Sequence, residues 1–296
     1  MYGEQFRTTT VFLYREPRAS CRQGPFEMTA RHGSATTDGS RVRHVVITGA
    51  SSGLGAALAR AYGRDGAVLT LAGRNAARLE VVARQCRDLG AEVVHATCAV
   101  EDQDGMTELL EAADRRRPVD IIIANAGIGG AAVLAPPTGE PGDLAREIIM
   151  VNTIGAMNSV TPLLAAFVAR RRGHVVLISS VAAFEGLAES PVYSASKAAV
   201  RTYGHGLRRR LHGSGVAVTV ITAGFIATPM SASLPFSTPF VVDADRAARL
   251  IKRAIERRAC ELVFPWQFRW SAVLSSLLPA GAVDGLLRMG RAWIKP

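Results

Sequence analysis

The sequence predicts an α/β fold in which one parallel β-sheet carries helices on both faces, a doubly wound arrangement. Three observations favour this fold. Short apolar segments without polar alternation recur along the chain, which is typical of strands buried on both faces. Segments of helical length and pattern separate these strands. The chain has 296 residues, of which 48% are hydrophobic, enough for one large domain with a sizeable core.

The regular pattern begins at Arg43. Residues 1–41 mix Thr, Arg, Gly and Ser without a sustained period, and they are predicted to be a disordered tail. The predicted strands are residues 44–47, 68–71, 92–96, 119–124, 174–178, 216–221 and 261–264. The predicted helices are residues 56–64, 76–89, 103–114, 143–170, 192–212 and 243–258. Because strands and helices alternate, we expect a single domain over residues 42–265.

Two segments near the C-terminus depart from this alternation. Residues 225–242 are rich in Pro, Ser, Thr and Phe and are predicted to form a helical lid, whose apolar side chains suit either an apolar substrate or ordinary packing. Residues 266–296 form an apolar and basic extension that contains all three tryptophans. Its apolar run is too short to span a bilayer. Contact with a membrane surface, a dimer arm and a flap over the substrate entrance remain as interpretations.

The composition excludes several function classes. The formal net charge is +10, from 35 Lys and Arg and 25 Asp and Glu, but no nucleic-acid-binding signature accompanies it, so nucleic acid is not an expected partner. Three explanations of the positive charge remain: an arginine-rich coding bias, a site for an anionic cofactor and a surface that contacts an anionic membrane. The 4 cysteines and 6 histidines show no metal-ligand spacing, so no metal is expected. A reducing, cytoplasmic compartment is the simplest location.

A glycine-rich turn, TGASSGLG at residues 48–55, follows the first predicted strand. Glycines allow a tight turn and a close approach of the backbone to a pyrophosphate. The start of the next helix then offers free N–H groups and the positive end of its dipole to the phosphates. The spacing is GxxxGxG rather than GxGxxG. Its place in a strand–turn–helix unit indicates a dinucleotide site, and an ordinary tight turn is the alternative.

Tyr193 and Lys197 lie four residues apart, on one face of a predicted helix. An ammonium group near a phenol lowers the pKa of the tyrosine. Such a tyrosine can exchange a proton with an alcohol or carbonyl oxygen near neutral pH. Ser180 follows the strand at 174–178, where its hydroxyl can face a ligand crevice. On its own the Tyr–Lys spacing also fits a surface pair.

In combination, these motifs resemble the short-chain dehydrogenase/reductase family, which has a Rossmann-type fold and uses NAD(P). The resemblance covers residues 43–265 and includes Asn125-Ala126-Gly127 after the fourth strand and Asn152 in the next helix. It implies an oxidoreductase that interconverts a carbonyl and an alcohol by hydride transfer. The implied catalytic residues are Asn152, Ser180, Tyr193 and Lys197.

The resemblance also implies a role for each residue. Tyr193 would be the general acid/base, and Lys197 would bind the nicotinamide ribose and depress the pKa of Tyr193. Ser180 would hold the substrate oxygen. Asn152 would sit in a helix distortion and hold a water that relays protons to Lys197. The implied cofactor-binding residues are Gly49, Ser51, Ser52, Gly53, Leu54, Gly55, Asn125, Ala126, Gly127, Tyr193, Lys197, Ile226 and Thr228.

The choice of cofactor can be argued from charge. NAD enzymes place a carboxylate after the second strand, where it binds the ribose 2′-hydroxyl. Here Arg74 follows that strand, and a guanidinium pairs with a 2′-phosphate, with Ser52 assisting. NADP(H) is therefore favoured over NAD(H), although Arg74 could instead be a solvent-facing residue at a helix start. Ala99 stands where the family often has an aspartate that contacts the adenine.

The substrate is not identified by the sequence, but the apolar lid and extension favour a hydrophobic, lipid- or steroid-like carbonyl or alcohol. A second hypothesis is an NADP-binding regulatory or scaffold protein without turnover. The complete set of Asn152, Ser180, Tyr193 and Lys197 argues against it. The resemblance further implies a homodimer or homotetramer.

Overall fold

The structure is a computed structural model that describes residues 43–129, 139–232, 240–270, 277–279 and 281–285. The predicted tail at residues 1–41 lies outside the described residues, as do parts of the predicted lid and of the C-terminal extension.

The strands form a seven-stranded parallel sheet and a small two-stranded parallel sheet. The large sheet has the order β3-β2-β1-β4-β5-β6-β9, and the small sheet pairs β7 with β8. The strands are β1 His44–Thr48, β2 Val68–Gly73, β3 Glu92–Thr97, β4 Ile121–Ala124, β5 Gly173–Ser180, β6 Val216–Ala223, β7 Ile226–Ala227, β8 Val242–Asp243 and β9 Glu261–Phe264. The prediction of a doubly wound parallel sheet in a single domain is confirmed.

Helices cover both faces of the sheet. They are α1 Gly53–Gly63, α2 Ala76–Asp88, α3 Gln103–Arg116, α4 Gly142–Ile149, α5 Gly155–Asn158, α6 Thr161–Ala169, α7 Pro191–Arg210, α8 Pro229–Ala232 and α9 Ala244–Glu256. On β1, Val45 and Ile47 pack with α1, α2 and α9, whereas Val46 packs with α3, α6 and α7. Successive side chains of one strand thus enter two separate cores, which is why the central strands consist mostly of apolar residues without polar alternation.

Helices α2, α3 and α9 begin where a side chain accepts hydrogen bonds from the free N–H groups of the first turn. Asn75 caps α2 by accepting a hydrogen bond from the N–H of Arg78 at 2.9 Å. Asp243 caps α9 by accepting from the N–H groups of Asp245 and Arg246 at 2.9 and 3.0 Å. Helix α1 begins at Gly53, three residues before the predicted start, because the end of the glycine-rich turn is itself helical.

The helical stretch predicted at residues 143–170 is interrupted, because the structure divides it into α4, a π-helical turn at Met150–Ile154, α5 and α6, and the π-helical turn lies where a helix distortion at Asn152 was expected. Pro162 lies in the first turn of α6, and it has no N–H to continue the hydrogen bonding of α5. The length and composition of Gly142–Ala169 would by themselves allow this stretch to cross a membrane. Half of its most apolar part, however, is buried inside the protein. That burial is typical of a core layer.

Candidate functional site

A cleft of about 470 Å³ opens at the carboxyl ends of the strands. Its walls include residues that directly follow β1, β2 and β4, and the ends of β5 and β6. β1 lies between β2 and β4 in the sheet. Strands β2 and β3 are added on one side of β1, and strands β4, β5 and β6 on the other side, so the order of the strands reverses between β1 and β4. Open α/β sheets bind ligands at this reversal point. The predicted site residues that line the cleft are Gly49, Ser51, Ser52, Gly53, Leu54, Gly55, Arg74, Asn125, Ala126, Gly127, Ser180, Tyr193, Lys197, Ile226 and Thr228.

The glycine-rich turn forms a tight floor for this cleft. Gly49 has φ +65°, a left-handed conformation that favours glycine. At Gly55 a Cβ atom would lie 2.2 Å from the carbonyl oxygen of Gly49 and 2.6 Å from Nδ2 of Asn125. Ser52, the N-cap of α1, makes no capping hydrogen bond with its side chain. The turn therefore offers backbone N–H groups and a hydroxyl at the positive end of α1, an arrangement suited to phosphate.

Asn125 holds the glycine-rich turn against β4. Its Nδ2 donates to the carbonyl oxygens of Thr48 and Gly49 at 3.0 and 3.2 Å. The Thr48 hydroxyl accepts from the backbone N–H groups of Asn125 and Ala126 at 3.1 and 3.3 Å. These bonds give Asn125 a structural role in the turn, and its backbone also forms part of the cleft wall.

Three of the four predicted catalytic residues, Ser180, Tyr193 and Lys197, meet on one side of the cleft. Ser180 ends β5, and its hydroxyl lies beside the phenol of Tyr193 and lowers the pKa of that phenol. Lys197 follows Tyr193 by one turn of α7, and its Nζ lies 5.9 Å from the centre of the Tyr193 ring. That Nζ donates to the carbonyl oxygen of Ile178 at 3.2 Å. A hydroxyl, a phenol and an ammonium group thus converge on one point.

The electrostatics of this group differ from the sequence-based expectation. Burial raises the pKa of Tyr193, and the hydrogen bond with Ser180 lowers it, leaving it above its usual value. Burial also lowers the pKa of Lys197 to about 8. The expected depression of the Tyr193 pKa is therefore wrong for this structure, because desolvation of the phenol outweighs its neighbours. Near neutral pH the phenol is protonated and can donate a proton.

Asn152 lies in the π-helical turn, behind the cleft wall rather than in it. Its Oδ1 accepts from the N–H of Ile128 at 2.8 Å, and its Nδ2 donates to the Ile128 carbonyl and the Ser196 hydroxyl, both at 3.0 Å. A Cβ on Gly127 would lie 3.1 Å from Asn152 Oδ1 and 3.2 Å from Lys197 Nζ. Asn152 is thus fixed by protein contacts close to Lys197, and its water relay stays a prediction.

Arg74 lines the cleft at the end of β2, together with Arg78 from the first turn of α2. No carboxylate directly follows β2 in the sequence, but the fold brings the carboxylate of Glu147 to Arg74 from α4. Nη1 of Arg74 lies 3.6 Å from Oε1 of Glu147, and both side chains are about half exposed, at 55% and 51%. Such an exposed pair is weak and leaves Arg74 able to bind an anion.

The described part of the lid closes the far side of the cleft. Ile226 lies in β7, and a methyl group of Thr228 packs against Gly53 of the glycine-rich turn. The Ser231 hydroxyl donates to the carbonyl oxygen of Ile226 at 2.6 Å and so fixes this turn. Phe225 and Met230 add apolar surface to the cleft.

Several cleft residues were missed by the sequence reasoning. Arg78, Leu187 and Glu189 were not considered, whereas the segment around Ala99 (Cys98, Val100 and Glu101) and the predicted lid (Phe225 and Met230) were considered but these residues were not named as site residues. Cys98, Val100 and Glu101 directly follow β3, and their position after a parallel strand was the signal that could have identified them. Within the described ranges, no group of three or more His, Cys, Asp or Glu side chains is arranged to hold a metal ion.

Comparison with known proteins agrees with this geometry. The family model described as short chain dehydrogenase matches residues 43–236. An uncharacterized oxidoreductase of Myxococcus xanthus is 35% identical over 247 residues, which cover 83% of this chain and 96% of that protein.

Solved structures show the same fold. A short-chain dehydrogenase from Sphingobium yanoikuyae in complex with NADPH has a TM-score of 0.70 and 26% identity, and covers 83% of this chain and 96% of its own. A variant of actinorhodin polyketide ketoreductase with NADPH has a TM-score of 0.69 and 25% identity, over 75% and 95% of the two chains. Neighbours of 21 and 24% identity hold NAD and show the fold alone. The chain belongs to the short-chain dehydrogenase family of oxidoreductases.

Proposed function

We propose that the protein is an NADP(H)-dependent oxidoreductase that interconverts a carbonyl and an alcohol by hydride transfer. The observation that carries this proposal is the convergence of Ser180, Tyr193 and Lys197 in the same cleft as the glycine-rich turn. A turn alone would support a nucleotide-binding protein. Proton-transfer groups beside it support catalysis of a redox reaction at an oxygen-bearing carbon.

The residues of the cleft fit a dinucleotide. At Gly55 a Cβ would lie 2.2 Å from the carbonyl oxygen of Gly49, so glycine at this position allows the tight turn that brings the start of α1 to the cleft, where it can bind a ligand's phosphates. Ser51 and Ser52 add hydroxyls beside the free N–H groups of α1. When bound, NADP(H) supplies or accepts the hydride, and the protein supplies orientation and proton transfer.

Tyr193 is the proposed general acid in the direction of carbonyl reduction. Its pKa is raised by burial, so the phenol keeps its proton near neutral pH. Ser180 and Tyr193 line the same cleft, so a substrate oxygen could be bound by both groups. In the oxidative direction the phenolate must form, and the ammonium of Lys197 close to the ring stabilises that charge.

The preference for NADP(H) is proposed from Arg74 and Arg78, two guanidinium groups on the cleft wall beyond β2. Guanidinium pairs with a 2′-phosphate through charge-assisted hydrogen bonds. NADPH in the structural neighbours at 25 and 26% identity supports the same choice. NAD(H) is the less favoured cofactor.

The substrate is proposed to be hydrophobic, lipid- or steroid-like. Leu187, Phe225 and Met230 give the cleft an apolar wall beside the proton-transfer groups. Apolar walls with a few placed polar groups are typical of sites for hydrophobic ligands.

Peripheral contact with a membrane is proposed for the C-terminal face. Trp266 and Trp270 are each 66% exposed, and Leu277 is 77% exposed. Exposed tryptophans with an excess of basic residues suit the headgroup region of an anionic membrane. The described cysteines are free thiols, which fits a cytoplasmic location. Vesicles of anionic lipid should bind the wild type more strongly than a variant with Trp266 and Trp270 changed to serine, and equal binding would exclude this contact.

A homodimer or homotetramer is also proposed. Ile149, Met150 and Val168 are apolar side chains exposed by more than a third on the α4 to α6 layer, and burial in a partner would stabilise them. Sedimentation at equilibrium gives the oligomeric state directly, and a monomer at all concentrations would contradict this proposal.

The experiment that tests the function is NADPH oxidation against a series of ketones and aldehydes of increasing chain length, repeated with NADH. Rising turnover with chain length and a preference for NADPH are expected. Turnover limited to short polar carbonyls would contradict the hydrophobic substrate. Binding of NADPH without turnover of any carbonyl would favour a regulatory or scaffold protein instead.

A further inference from the structure

The first turn of α7 carries Tyr193, and its free N–H groups need partners. The first four N–H groups of a helix have no acceptor within it. Ser190 occupies the N-cap position of α7, but its side chain makes no capping hydrogen bond. Pro191 follows and has no N–H. The donors of Val192 and Tyr193 must therefore be satisfied from elsewhere in the protein.

Glu140 satisfies both donors from a distant part of the chain. Its Oε1 accepts from the N–H groups of Val192 and Tyr193 at 3.1 and 3.2 Å. The Glu140 residue is only 9% exposed and lies two residues before α4. A carboxylate at this end of a helix gains from the helix dipole and from hydrogen bonds assisted by charge. A buried carboxylate thus caps the helix that carries the proton-transfer residues.

The backbone of Tyr193 is tied on both sides. Glu140 holds its N–H, and the hydroxyl of Ser196 donates to its carbonyl oxygen at 2.7 Å. Ser196 in turn accepts from Nδ2 of Asn152 at 3.0 Å. The position of the Tyr193 side chain relative to Ser180 therefore depends on one contact from the segment before α4 and one from the π-helical turn.

We propose that Glu140 is a positioning residue that fixes the start of α7 and thereby holds the Tyr193 phenol in register with Ser180. Proton transfer requires the donor within hydrogen-bond reach of the substrate oxygen. A misplacement of about 1 Å can lower a rate about 100-fold. The catalytic consequence of this inference depends on the proposed function, whereas the cap itself does not.

The protein contains a matched control for this cap. Asp243 also accepts two first-turn N–H groups, at 2.9 and 3.0 Å, but on α9, which carries none of the predicted site residues. Loss of either cap should destabilise its helix. Only the loss of the Glu140 cap should affect Tyr193.

The experiment compares Glu140→Ala, Glu140→Gln and Asp243→Ala with the full-length wild type. Amide hydrogen exchange of the peptide over residues 190–197 reports the cap without any need for activity. Steady-state reduction of the best ketone of the chain-length series by NADPH gives kcat and KM. Fluorescence titration gives the affinity for NADPH, and thermal unfolding gives Tm.

Glu140→Ala should speed exchange over residues 190–197 and lower kcat by about 100-fold, while KM and NADPH affinity change far less. Glu140→Gln retains an acceptor oxygen for both N–H groups, but Oε2 of Glu140 has no described partner, so the new amide nitrogen is buried without an acceptor. This variant should lose stability and keep most of kcat. Asp243→Ala should lower Tm by a few degrees and leave kcat unchanged.

Unchanged exchange over residues 190–197 in Glu140→Ala would overturn the cap. Faster exchange with an unchanged kcat, or a kcat in Glu140→Gln as low as in Glu140→Ala, would overturn the positioning role. A wild type that reduces no carbonyl would contradict the proposed function instead, and the exchange measurement would still decide on the cap.

Discussion

Replacing Glu147 by glutamine is expected to raise the affinity for NADPH and to leave the affinity for NADH unchanged. Arg74 lines the cleft, and its Nη1 lies 3.6 Å from Oε1 of Glu147, with both side chains half exposed. The carboxylate is expected to compete with a 2′-phosphate for the guanidinium, and its negative charge to repel that phosphate. Two unit charges at this distance interact by about 1 kcal/mol in water, and exposed pairs are worth about 0.2–1 kcal/mol.

This energy corresponds to a gain of up to about fivefold in NADPH affinity for Glu147→Gln. Arg74→Ala should show the opposite change, a loss of about tenfold in affinity for NADPH only, and Arg74→Asp a larger loss.

Fluorescence titrations with NADPH and NADH in low salt, repeated in about 0.5 M salt, measure both effects, which salt should reduce. Glu111→Gln is the matched control, since Glu111 pairs with Arg115 at 3.3 Å on the surface of α3. Identical NADPH affinities in the wild type, Glu147→Gln and Arg74→Ala would refute the assignment of Arg74 to the phosphate.

Two further predictions concern the turn and the core. Gly55→Ala places a Cβ 2.2 Å from the Gly49 carbonyl oxygen, so this variant should show no NADPH binding in a titration. Gly206→Ala is the control, because a Cβ at Gly206 of α7 would meet no atom within 4 Å, and this variant should raise the free energy of unfolding by about 0.5–1 kcal/mol. Burial lowers the pKa of His174 to about 4, so the unfolded state takes up its proton first as the pH falls. Stability should therefore drop by about 3 kcal/mol between pH 6.5 and 4, and urea unfolding should show a weaker drop in His174→Gln. Equal pH slopes in both proteins would exclude this role of His174.

The order of strands and helices could be predicted from the sequence because most strands are apolar segments and the segments between them have helical length and pattern. Boundaries were less predictable where polar residues are buried. β5 extends to Ser180, two residues beyond the predicted end, because Ser179 is buried and its hydroxyl donates to the Lys197 carbonyl at 2.8 Å. The π-helical turn carries the same apolar pattern as its flanking helices, so only the family resemblance, which implies a helix distortion at Asn152, indicated it.

The part of the site that lies in local motifs could be predicted, since the glycine-rich turn and the Tyr–Lys spacing are contiguous in the chain. The contacts of Glu140 and Glu147 could not be predicted. These residues are more than fifty positions away from Tyr193 and Arg74, respectively, in the sequence, and only the folded chain brings them together. The pKa of Tyr193 was misjudged for a related reason. The spacing of Tyr193 and Lys197 indicates a charge near the phenol, but it does not indicate that the fold buries the phenol, which raises its pKa.

The central claim is that Tyr193 transfers the proton in an NADPH-dependent reduction. Tyr193→Phe removes only the phenol oxygen, and Tyr203→Phe makes the same change on the same helix outside the cleft. The most direct measurement is kcat for NADPH oxidation with the best ketone, alongside the affinity of each variant for NADPH. We expect Tyr193→Phe to lose about 100- to 10,000-fold in kcat with unchanged NADPH affinity, and Tyr203→Phe to keep its activity. Turnover by Tyr193→Phe at the wild-type rate would contradict the account.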